Sequence, residues 1–423
     1  MPRHYLLSSP PKKHQNRNLK PLLSELLAGL ALYCLAFISF HIYLPAMSSP
    51  WMFDDIQNLS GLAQVNNTET ALIFITSGNA GALGRPLALA SFVLNASDWP
   101  LDAYAFKRIN VLIHILNALL LTKICLQISQ ILDKHISKPV WFSAVVACIW
   151  MAHPFLASTS LMAIQRMTSL SATFCLLGII TYLHGRIQLP KTERLGLIWM
   201  SLGISLGTLL ATLTKENGAL LPLFIVILEF TLLRYYQDIS QVKTFRLWAF
   251  IFLALPLIAL LIYFIIRWPS FISTYEIRAF NLQERLSTEI VILFDYLSNI
   301  LIPSRAGVGP FHDDFTISKS LISPITTLYS LIAWLMIIFL AISIRKKTPV
   351  LLFSLCWFLG GHLLESTFIP LELYFEHRNY LPSIGPLFAL CFYLWNGTNS
   401  LKILTRGFLT IYLALLLFLL QES

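Results

Sequence analysis

Residues 246–266 read RLWAFIFLALPLIALLIYFII, and every residue after the leading arginine is apolar. A helix of roughly 20 such residues crosses the hydrocarbon core of a bilayer, which is about 30 Å thick. Ten further apolar segments are candidates for the same role, and they lie at 25–44, 109–131, 139–152, 168–184, 196–213, 218–233, 324–344, 349–364, 382–396 and 404–420. The pattern therefore predicts a chain that crosses a membrane many times.

The composition supports the same fold class. Hydrophobic residues make up 56% of the chain and charged residues 12%, whereas a soluble domain has about 45–50% and about 25%. Long continuous apolar runs exclude a transmembrane β-barrel, whose strands alternate. We expect an all-α polytopic membrane protein with a bundle of about 11–12 transmembrane helices. Residues 1–21 are predicted to be a basic cytoplasmic tail and residues 22–423 a single transmembrane domain.

Amphipathic and charged segments should lie at the membrane surface. The patterns at 69–76 and 86–95 predict interfacial helices on the outer face of the protein. The segment 286–302 contains Glu289 and Asp295 and precedes Pro303, so it could span the membrane, re-enter it or lie along its surface. The distribution of basic residues among the loops favours an arrangement in which it makes no single full crossing. The six cysteines are scattered through apolar segments and show neither a disulfide framework nor a metal-binding spacing.

The net charge of +9 is distributed as the positive-inside rule predicts for a membrane protein, which argues against a nucleic-acid partner. Basic residues cluster in the amino-terminal tail and in alternate loops, at 134–138, 186–194, 234–246 and 345–347. If these loops are cytoplasmic, the amino terminus is inside, and two long loops, at about 45–105 and 268–323, lie outside.

The outer loops then collect most of the conspicuous polar residues. These are Asp54, Asp55, Arg85, His153, Arg166, Lys215, Glu216, Glu376, His377, Arg378 and Tyr380. A carboxylate can remove a proton from an attacking hydroxyl, and arginine or lysine can hold a phosphate. Transfer of a sugar from a lipid phosphate needs both groups at the membrane surface. Of the two adjacent aspartates, which point apart on an extended loop, we favour Asp55 slightly over Asp54 as the base.

Each of these residues also has a structural interpretation. The aspartates could cap a helix, the rim cations could anchor helices at the interface, His153 could cap the end of its helix, and Tyr380 could belong to an aromatic belt. Glu216 is expected to pair with Lys215 or another cation. The run His312-Asp313-Asp314 resembles a metal-ligand cluster, but short acidic loops are common.

The order of these motifs resembles the polytopic glycosyltransferases of the GT-C superfamily, and it extends from about residue 50 to 385. The matching pieces are Phe53-Asp54-Asp55, Gly84-Arg85-Pro86-Leu87 leading to Phe92 and Asn95, His114 with Asn117, His153-Pro154 followed by Arg166, Lys215-Glu216, and Arg378 before Tyr380-Leu381-Pro382-Ser383. Similar motifs occur in transmembrane-and-tetratricopeptide O-mannosyltransferases, although no tetratricopeptide region follows here. The single compact unit resembles bacterial type IV pilin glycosyltransferases, including the TfpW type that adds arabinofuranose.

The resemblance implies an inverting glycosyltransferase of the bacterial inner membrane with its active site facing the periplasm. The donor would be a polyprenyl-phosphate sugar, with arabinofuranose as one option. The acceptor would be a serine or threonine hydroxyl of a periplasmic protein such as type IV pilin. Asp54 or Asp55 would be the catalytic base, and the phosphate would be bound by some of Arg85, Arg166, Lys215 and Arg378. His153, Glu216, Glu376, His377 and Tyr380 would support them.

Three other functions and one cofactor stay open from the sequence. A non-catalytic assembly or scaffold protein would not need paired carboxylates with converging cations. An oligosaccharide polymerase or ligase would use a glycan on a lipid diphosphate. A secondary transporter would place its ionisable residues near the midplane of the bilayer and show an internal repeat. In this chain the ionisable residues gather towards one rim instead, and the sequence shows no internal repeat. No cofactor is required, but a divalent cation could assist, with Asp54, Asp55 and residues 312–314 as the available ligands.

Overall fold

A computed structural model of the chain describes residues 19–52, 54–79, 81–132, 135–235, 244–304, 315–397 and 401–422. Within these ranges it contains seventeen α-helices and no β-strand, only an isolated bridge between Ser320 and Ser323. The helices are α1 (Leu19–Met47), α2 (Asp55–Leu59), α3 (Thr68–Thr76), α4 (Pro86–Val93), α5 (Ala103–Leu132), α6 (Pro139–Met151), α7 (Ala157–Leu161), α8 (Arg166–Gln188), α9 (Glu193–Thr214), α10 (Leu221–Ile227), α11 (Phe245–Ala249), α12 (Leu255–Thr274), α13 (Leu282–Leu301), α14 (Ile325–Ser343), α15 (Pro349–Gly361), α16 (Ile384–Trp395) and α17 (Lys402–Glu422). The predicted tail, 1–21, lies almost entirely outside the described residues.

The chain is an all-α polytopic membrane protein. Seven of the described helical stretches are long and apolar enough to cross a membrane: Leu23–Met47, Ala103–Leu132, Ala163–Gln188, Glu193–Thr214, Phe245–Ile277, Ile325–Ser343 and Lys402–Glu422. An eighth is possible if α6 and the segment Pro154–Leu161, bent by 61°, act as one span. The remaining predicted segments are also helical, but α10, α15 and α16 are shorter. The number of helices with spanning length is thus below the predicted 11–12.

The amphipathic helix α13 is not among the candidate spans. It contains the predicted segment 286–302 and begins with a capping box, in which Asn281 accepts a hydrogen bond from the backbone of Glu284. Its polar face buries Arg285 and Glu289 against the chain segment that follows α15. A helix with two buried charges and a polar neighbour is poorly suited to a lipid-surrounded crossing.

The first long loop folds into a small helical cap. The interfacial segments predicted at 69–76 and 86–95 are the helices α3 and α4. Asn67 caps α3 by accepting a hydrogen bond from Thr70, and Pro86 supplies the first residue of α4, where a missing backbone N–H does no harm. Leu59, Phe74 and Phe92 of the cap form a hydrophobic core with α5 and the start of α8. This core fixes the cap on the end of the helical bundle.

The helices α8 and α9 pack closely through glycines that face each other. A Cβ atom on Gly203 would lie 2.6 Å from the carbonyl oxygen of Gly178, and one on Gly185 would lie 2.5 Å from that of Gly196. Small residues let helix backbones approach in membranes, where apolar burial gives little preference for association. This contact places the end of α9, and therefore Lys215, next to the start of α8.

We expect Gly203→Val to lower the thermal stability of the purified protein by about 1–3 kcal/mol, because the added atoms would separate α8 from α9. Gly407→Val is the matched control, since no atom lies within 4 Å of a Cβ built on Gly407 of α17. Both variants change helix propensity equally. Equal midpoints of thermal unfolding for the two variants would contradict the importance of the α8–α9 contact.

Candidate active-site cavity

A cavity of about 730 Å³ lies where the cap meets the ends of the membrane helices. Its walls come from the start of α2, the loop before α4, the ends of α8 and α9, and the chain that follows α15. The last wall is one face of α12, formed by Leu260, Tyr263, Phe264, Arg267 and Phe271. Counted from Leu260, the other four residues follow at three, four, seven and eleven positions, which places all five on one side of the helix. The cavity is therefore polar towards the cap and apolar towards α12.

The side of α12 that turns away from the cavity is apolar and exposed, as is typical of a lipid-facing helix. No residue of α12 is fully buried. Only 6% of the most apolar part of Phe245–Ile277 is buried inside the protein, the smallest share among the seven candidate spans. A single helix thus lies between this side of the cavity and the outer surface of the bundle. An apolar chain attached to a ligand in the cavity could lie along this helix.

Most charged side chains on the cavity wall are already paired with each other. Five cations (Arg85, Lys215, Arg267, Arg278, Arg378) and four carboxylates (Asp54, Glu216, Glu365, Glu372) line it. Three ion pairs join Arg85 to Glu216, Lys215 to Glu365, and Arg278 to Glu372. The wall therefore carries one more cation than carboxylates, which favours an anionic ligand.

Among the acidic, basic and histidine side chains on the wall, three make no hydrogen bond or ion pair to another described residue: Asp54, Arg267 and His377. The imidazole of His377 only stacks on the ring of Phe375. Burial, Lys215 and other nearby charges lower the pKa of His377 well below its ordinary value, so the imidazole is neutral at neutral pH. The cavity thus offers a free carboxylate, a free guanidinium and a neutral imidazole to a ligand.

The pair Arg85–Glu216 fixes the loop before α4 to the membrane bundle. Arg85 Nη2 lies 2.8 Å from Glu216 Oε2, and Nε lies 3.1 Å from both carboxylate oxygens. Arg85 adopts a left-handed backbone conformation with φ of 56°. Gly81 has a φ of 69°, which favours glycine, and a Cβ there would also displace the carboxylate of Glu216. Glu216 had been expected to pair with Lys215 or another cation, and its partner is Arg85.

Lys215 is held by groups from two other segments. Its Nζ lies 2.9 Å from Glu365 Oε1 and donates a hydrogen bond to Thr168 Oγ1 at 3.0 Å. Asn217 donates to the other oxygen of Glu365 at 2.7 Å. Burial lowers the pKa of Lys215. Burial also raises the pKa of Glu365, but Lys215 and Arg378 outweigh that effect and the net pKa is lowered, so Glu365 stays ionised.

Arg378 reaches the cavity from a short 3₁₀ turn, Glu376–Asn379. Its guanidinium donates to the backbone oxygens of Leu373, at 2.6 Å, and Glu372. It also lies 3.7 Å from the buried carboxylate of Glu289. Arg378, the predicted phosphate ligand, is thus present at the cavity, but the buried carboxylate of Glu289 neutralises part of its positive charge.

The two adjacent aspartates have different surroundings. Asp54 lies on the cavity wall, exposed, with a free carboxylate. Asp55 is fully buried and accepts hydrogen bonds from the backbone N–H groups of Ile164 at 2.8 Å, Met52 at 3.0 Å and Ala163 at 3.3 Å. Burial raises the pKa of Asp55 despite these bonds. The sequence favoured Asp55 as the base, whereas the exposure of Asp54 on the cavity wall favours Asp54. Asp55 instead holds the start of α2 against residues 163 and 164, and so positions Asp54 beside the cavity.

Arg166 does not reach the cavity, contrary to its predicted role in phosphate binding. It is fully buried, and its guanidinium donates to Asn110 Oδ1 at 2.9 Å and to the backbone oxygens of Ser91 and Phe106 at 2.9 and 3.1 Å. It also lies 4.6 Å from the ring centroid of Phe92. Arg166 therefore joins the cap to α5 and α8, and its donors are used within the protein.

Three predicted supporting residues also lie away from the main cavity. His153 Nε2 lies 2.9 Å from the carbonyl oxygen of Ile300 and its Nδ1 accepts from the backbone of Phe155. The hydroxyl of Tyr380 contacts His114 at 2.8 Å in the buried bundle. Glu376 is buried and does not line the cavity. His153 caps the turn that follows it, as its structural interpretation expects. Tyr380 is buried and bonded to His114 and Asn117 of α5, so it does not belong to an aromatic belt at the membrane surface.

Four charged cavity residues were not predicted from the sequence, namely Arg267, Arg278, Glu365 and Glu372. Of these, Arg267 is the one without an ion pair to a described residue. It directly follows the apolar run that ends at residue 266, so it resembles a simple interfacial anchor. Its position seven residues after Leu260 and four before Phe271, however, puts it on the face that lines the cavity. An apolar helix face with one cation is the signal that could have identified it.

The structure gives no direct support for a metal ion. Among the described residues, no group of three or more histidine, cysteine or acidic side chains is arranged to hold one. The run at 312–314 lies outside those residues. Asp55 is occupied by backbone N–H groups.

Comparison with protein families, characterised proteins and solved structures gives no match to this chain.

Proposed function

We propose that the protein is a glycosyltransferase of the GT-C type, which moves a sugar from a polyprenyl-phosphate donor to a hydroxyl of a periplasmic protein. The observation that carries this proposal is the set of side chains that line the cavity between the cap and the membrane helices. A free carboxylate, a surplus of cations and an apolar helix face exposed to lipid meet there. An acceptor hydroxyl, a phosphate and a lipid chain need these three surfaces.

In the proposed reaction, Asp54 removes the proton from the acceptor hydroxyl. The acceptor oxygen forms a bond to the anomeric carbon of the sugar while the bond from that carbon to the phosphate oxygen breaks. The electron pair leaves with the lipid phosphate, and a single displacement inverts the anomeric carbon. Because the developing negative charge is on the phosphate, cations placed beside it lower the barrier.

Arg267 and Arg378 are the cations best placed for that task. Arg267 has no competing carboxylate among the described residues, and it lies on the helix along which we place the lipid. Arg378 lines the same cavity from the turn Glu376–Asn379. Arg85 and Lys215 must first exchange their carboxylate partners for the phosphate. The sugar then lies between the phosphate and Asp54, where His377 can donate or accept one hydrogen bond.

We propose that the protein lies in the bacterial inner membrane and that the cavity is on the periplasmic side. Three helical stretches support this orientation, because each has a predicted cytoplasmic basic residue at one end and a cavity residue at the other. The pairs are Arg186 and Met167 for α8, Arg194 and Lys215 for α9, and Arg246 and Arg267 for the stretch containing α12. Basic residues concentrate on the cytoplasmic side of membrane proteins.

The acceptor and the sugar come from the resemblance of the motifs. We propose a serine or threonine hydroxyl of a protein such as type IV pilin, and a sugar such as arabinofuranose. The test is the intact mass of the pilin from cells with the gene, without it, and with Asp54→Asn. We expect a pentose or hexose increment that disappears in the last two.

An unchanged pilin mass in all strains would remove the pilin as acceptor. A purified sample would then be offered a monosaccharide on a lipid monophosphate or an oligosaccharide on a lipid diphosphate. Consumption of only the second would replace the proposed function by an oligosaccharide polymerase or ligase.

A further inference from the structure

Glu289 is a buried carboxylate directly behind the cavity wall. It lies on α13 with a side-chain exposure of 2%, and its Oε1 is 3.1 Å from Arg285 Nη2 and 3.7 Å from Arg378 Nη1. Neither carboxylate oxygen accepts a hydrogen bond of normal geometry from a described residue. A carboxylate in such a place depends on neighbouring cations for its charged form.

The two neighbouring guanidiniums differ in what they can do. Arg285 is fully buried and donates to the backbone oxygens of Thr367 and Glu365, both at 2.7 Å, and of Leu371. It therefore holds the chain segment that follows α15 and does not face the cavity. Arg378 does line the cavity. An anion bound there would share the Arg378 guanidinium with Glu289.

We propose that Glu289 sets the affinity of the cavity for an anionic ligand, because the ligand and the ionised Glu289 compete for Arg378 and binding therefore places a proton on Glu289. The inference rests on the proposed function, in which a phosphodiester occupies the cavity. By linkage, a ligand that drives proton uptake must bind more tightly when protons are more abundant. The affinity should therefore increase as the pH falls.

The surrounding charges place this change near neutral pH. Burial raises the pKa of Glu289 to about 7, against the opposite effects of Arg378 and Arg285. The other groups that face it are Glu365 and Ser366 from the segment after α15, Tyr296 from α13 and Tyr275 from the end of the α12 stretch. Glu365 is ionised and His377 neutral in this range. A bound anion, as a like charge, raises the pKa of Glu289 further.

The probe for this proposal is methyl farnesyl phosphate, a lipid phosphodiester whose own charge does not change near neutral pH. Its Kd for the purified full-length protein would be measured by calorimetry at about pH 6, 7 and 8, since a pKa difference of one unit corresponds to tenfold in affinity. We expect the wild-type Kd to increase about three- to tenfold over this range. Glu289→Gln should bind as tightly as the wild type does at the lowest pH, without the dependence.

Two further measurements exclude a purely structural role. The calorimetric binding enthalpy near pH 7, measured in buffers of different ionisation enthalpy, should show that the wild type takes up a fraction of a proton on binding. This measurement requires no variant. Arg378→Gln should bind more weakly and lose the pH dependence. A wild-type Kd that does not change with pH, or the same slope in Glu289→Gln, would overturn the role of Glu289 while leaving the anionic site intact. No binding of the probe at any pH would overturn the anionic site and the proposed function with it.

Discussion

Asp54→Asn should reduce the turnover number for sugar transfer by about 10²- to 10⁴-fold, the usual contribution of a general base. The amide has nearly the size of the carboxylate and Asp54 makes no side-chain bond with a described residue, so the fold should be unaffected. Donor binding should also be unchanged, because the phosphate is held by cations on other walls. Turnover of a lipid-phosphate sugar and the Kd of that donor, measured on the purified variant, would check both parts.

Asp102→Asn is the matched control for this substitution. Asp102 lies in the same cap, outside the cavity, and caps the start of α5 through Tyr104 N at 3.0 Å. Asparagine caps helices equally well, so full activity is expected. Normal turnover in Asp54→Asn would remove Asp54 as the base, and a loss shared equally with Asp102→Asn would indicate damage to the cap.

Asp55→Asn separates the positioning role from the chemical one. Asparagine has one oxygen acceptor and no charge, whereas Asp55 uses both oxygens on three backbone N–H groups. Hydrogen bonds to charged groups contribute about 1.5–3 kcal/mol each. Lower activity should therefore come with a lower unfolding midpoint in this variant. The Asp54→Asn variant should lose activity alone.

The helices were predictable because long apolar runs have few alternatives in a membrane chain. All eleven apolar segments are helical, and α3 and α4 lie where amphipathic patterns placed them. The number of crossings was less predictable. The helix α15, for example, ends at Gly361, although the apolar run extends to residue 364. Composition cannot show where tertiary contacts end a helix.

The candidate site was predictable in part, since Asp54, Arg85, Lys215 and Arg378 line one cavity although they are far apart in the chain. Arg166 lies outside this cavity for a physical reason. A cation at the end of an apolar helix can face a cavity, the lipid headgroups or a buried polar pocket. For Arg166 that pocket is formed by Asn110, Ser91 and Phe106, and no local pattern brings these residues together.

The ion pairs within the cavity give the site a further property that the sequence did not suggest. Cations that would hold a phosphate are paired with Glu216 and Glu365 at 2.8 and 2.9 Å. Exposed pairs contribute little to stability, but partly buried ones keep cations in position when the site is empty. A phosphate that enters must compete with these carboxylates. Arg267, which has no carboxylate partner among the described residues, is therefore the first cation available to it.

Arg267→Gln should weaken donor binding about 10- to 100-fold, because a charge-assisted contact contributes about 1.5–3 kcal/mol. The reason is the position of Arg267 on the cavity face of a helix whose other sides are largely apolar and exposed. Arg267→Lys should recover part of the affinity, since it keeps the charge but loses the two parallel donors. The Kd of a prenyl phosphodiester, measured for both variants, checks this expectation.

The matched control is Arg246→Gln, at the opposite end of the same helical stretch, exposed and outside the cavity. Both substitutions remove one rim cation from one helical stretch, so any general effect on insertion or stability is shared. Donor affinity reduced only by Arg267→Gln would mean that the phosphate lies against α12, with its lipid chain on that helix. Equal affinities in the two variants would show that Arg267 is an interfacial anchor, and the phosphate would then have to displace Glu216 or Glu365 from its ion pair.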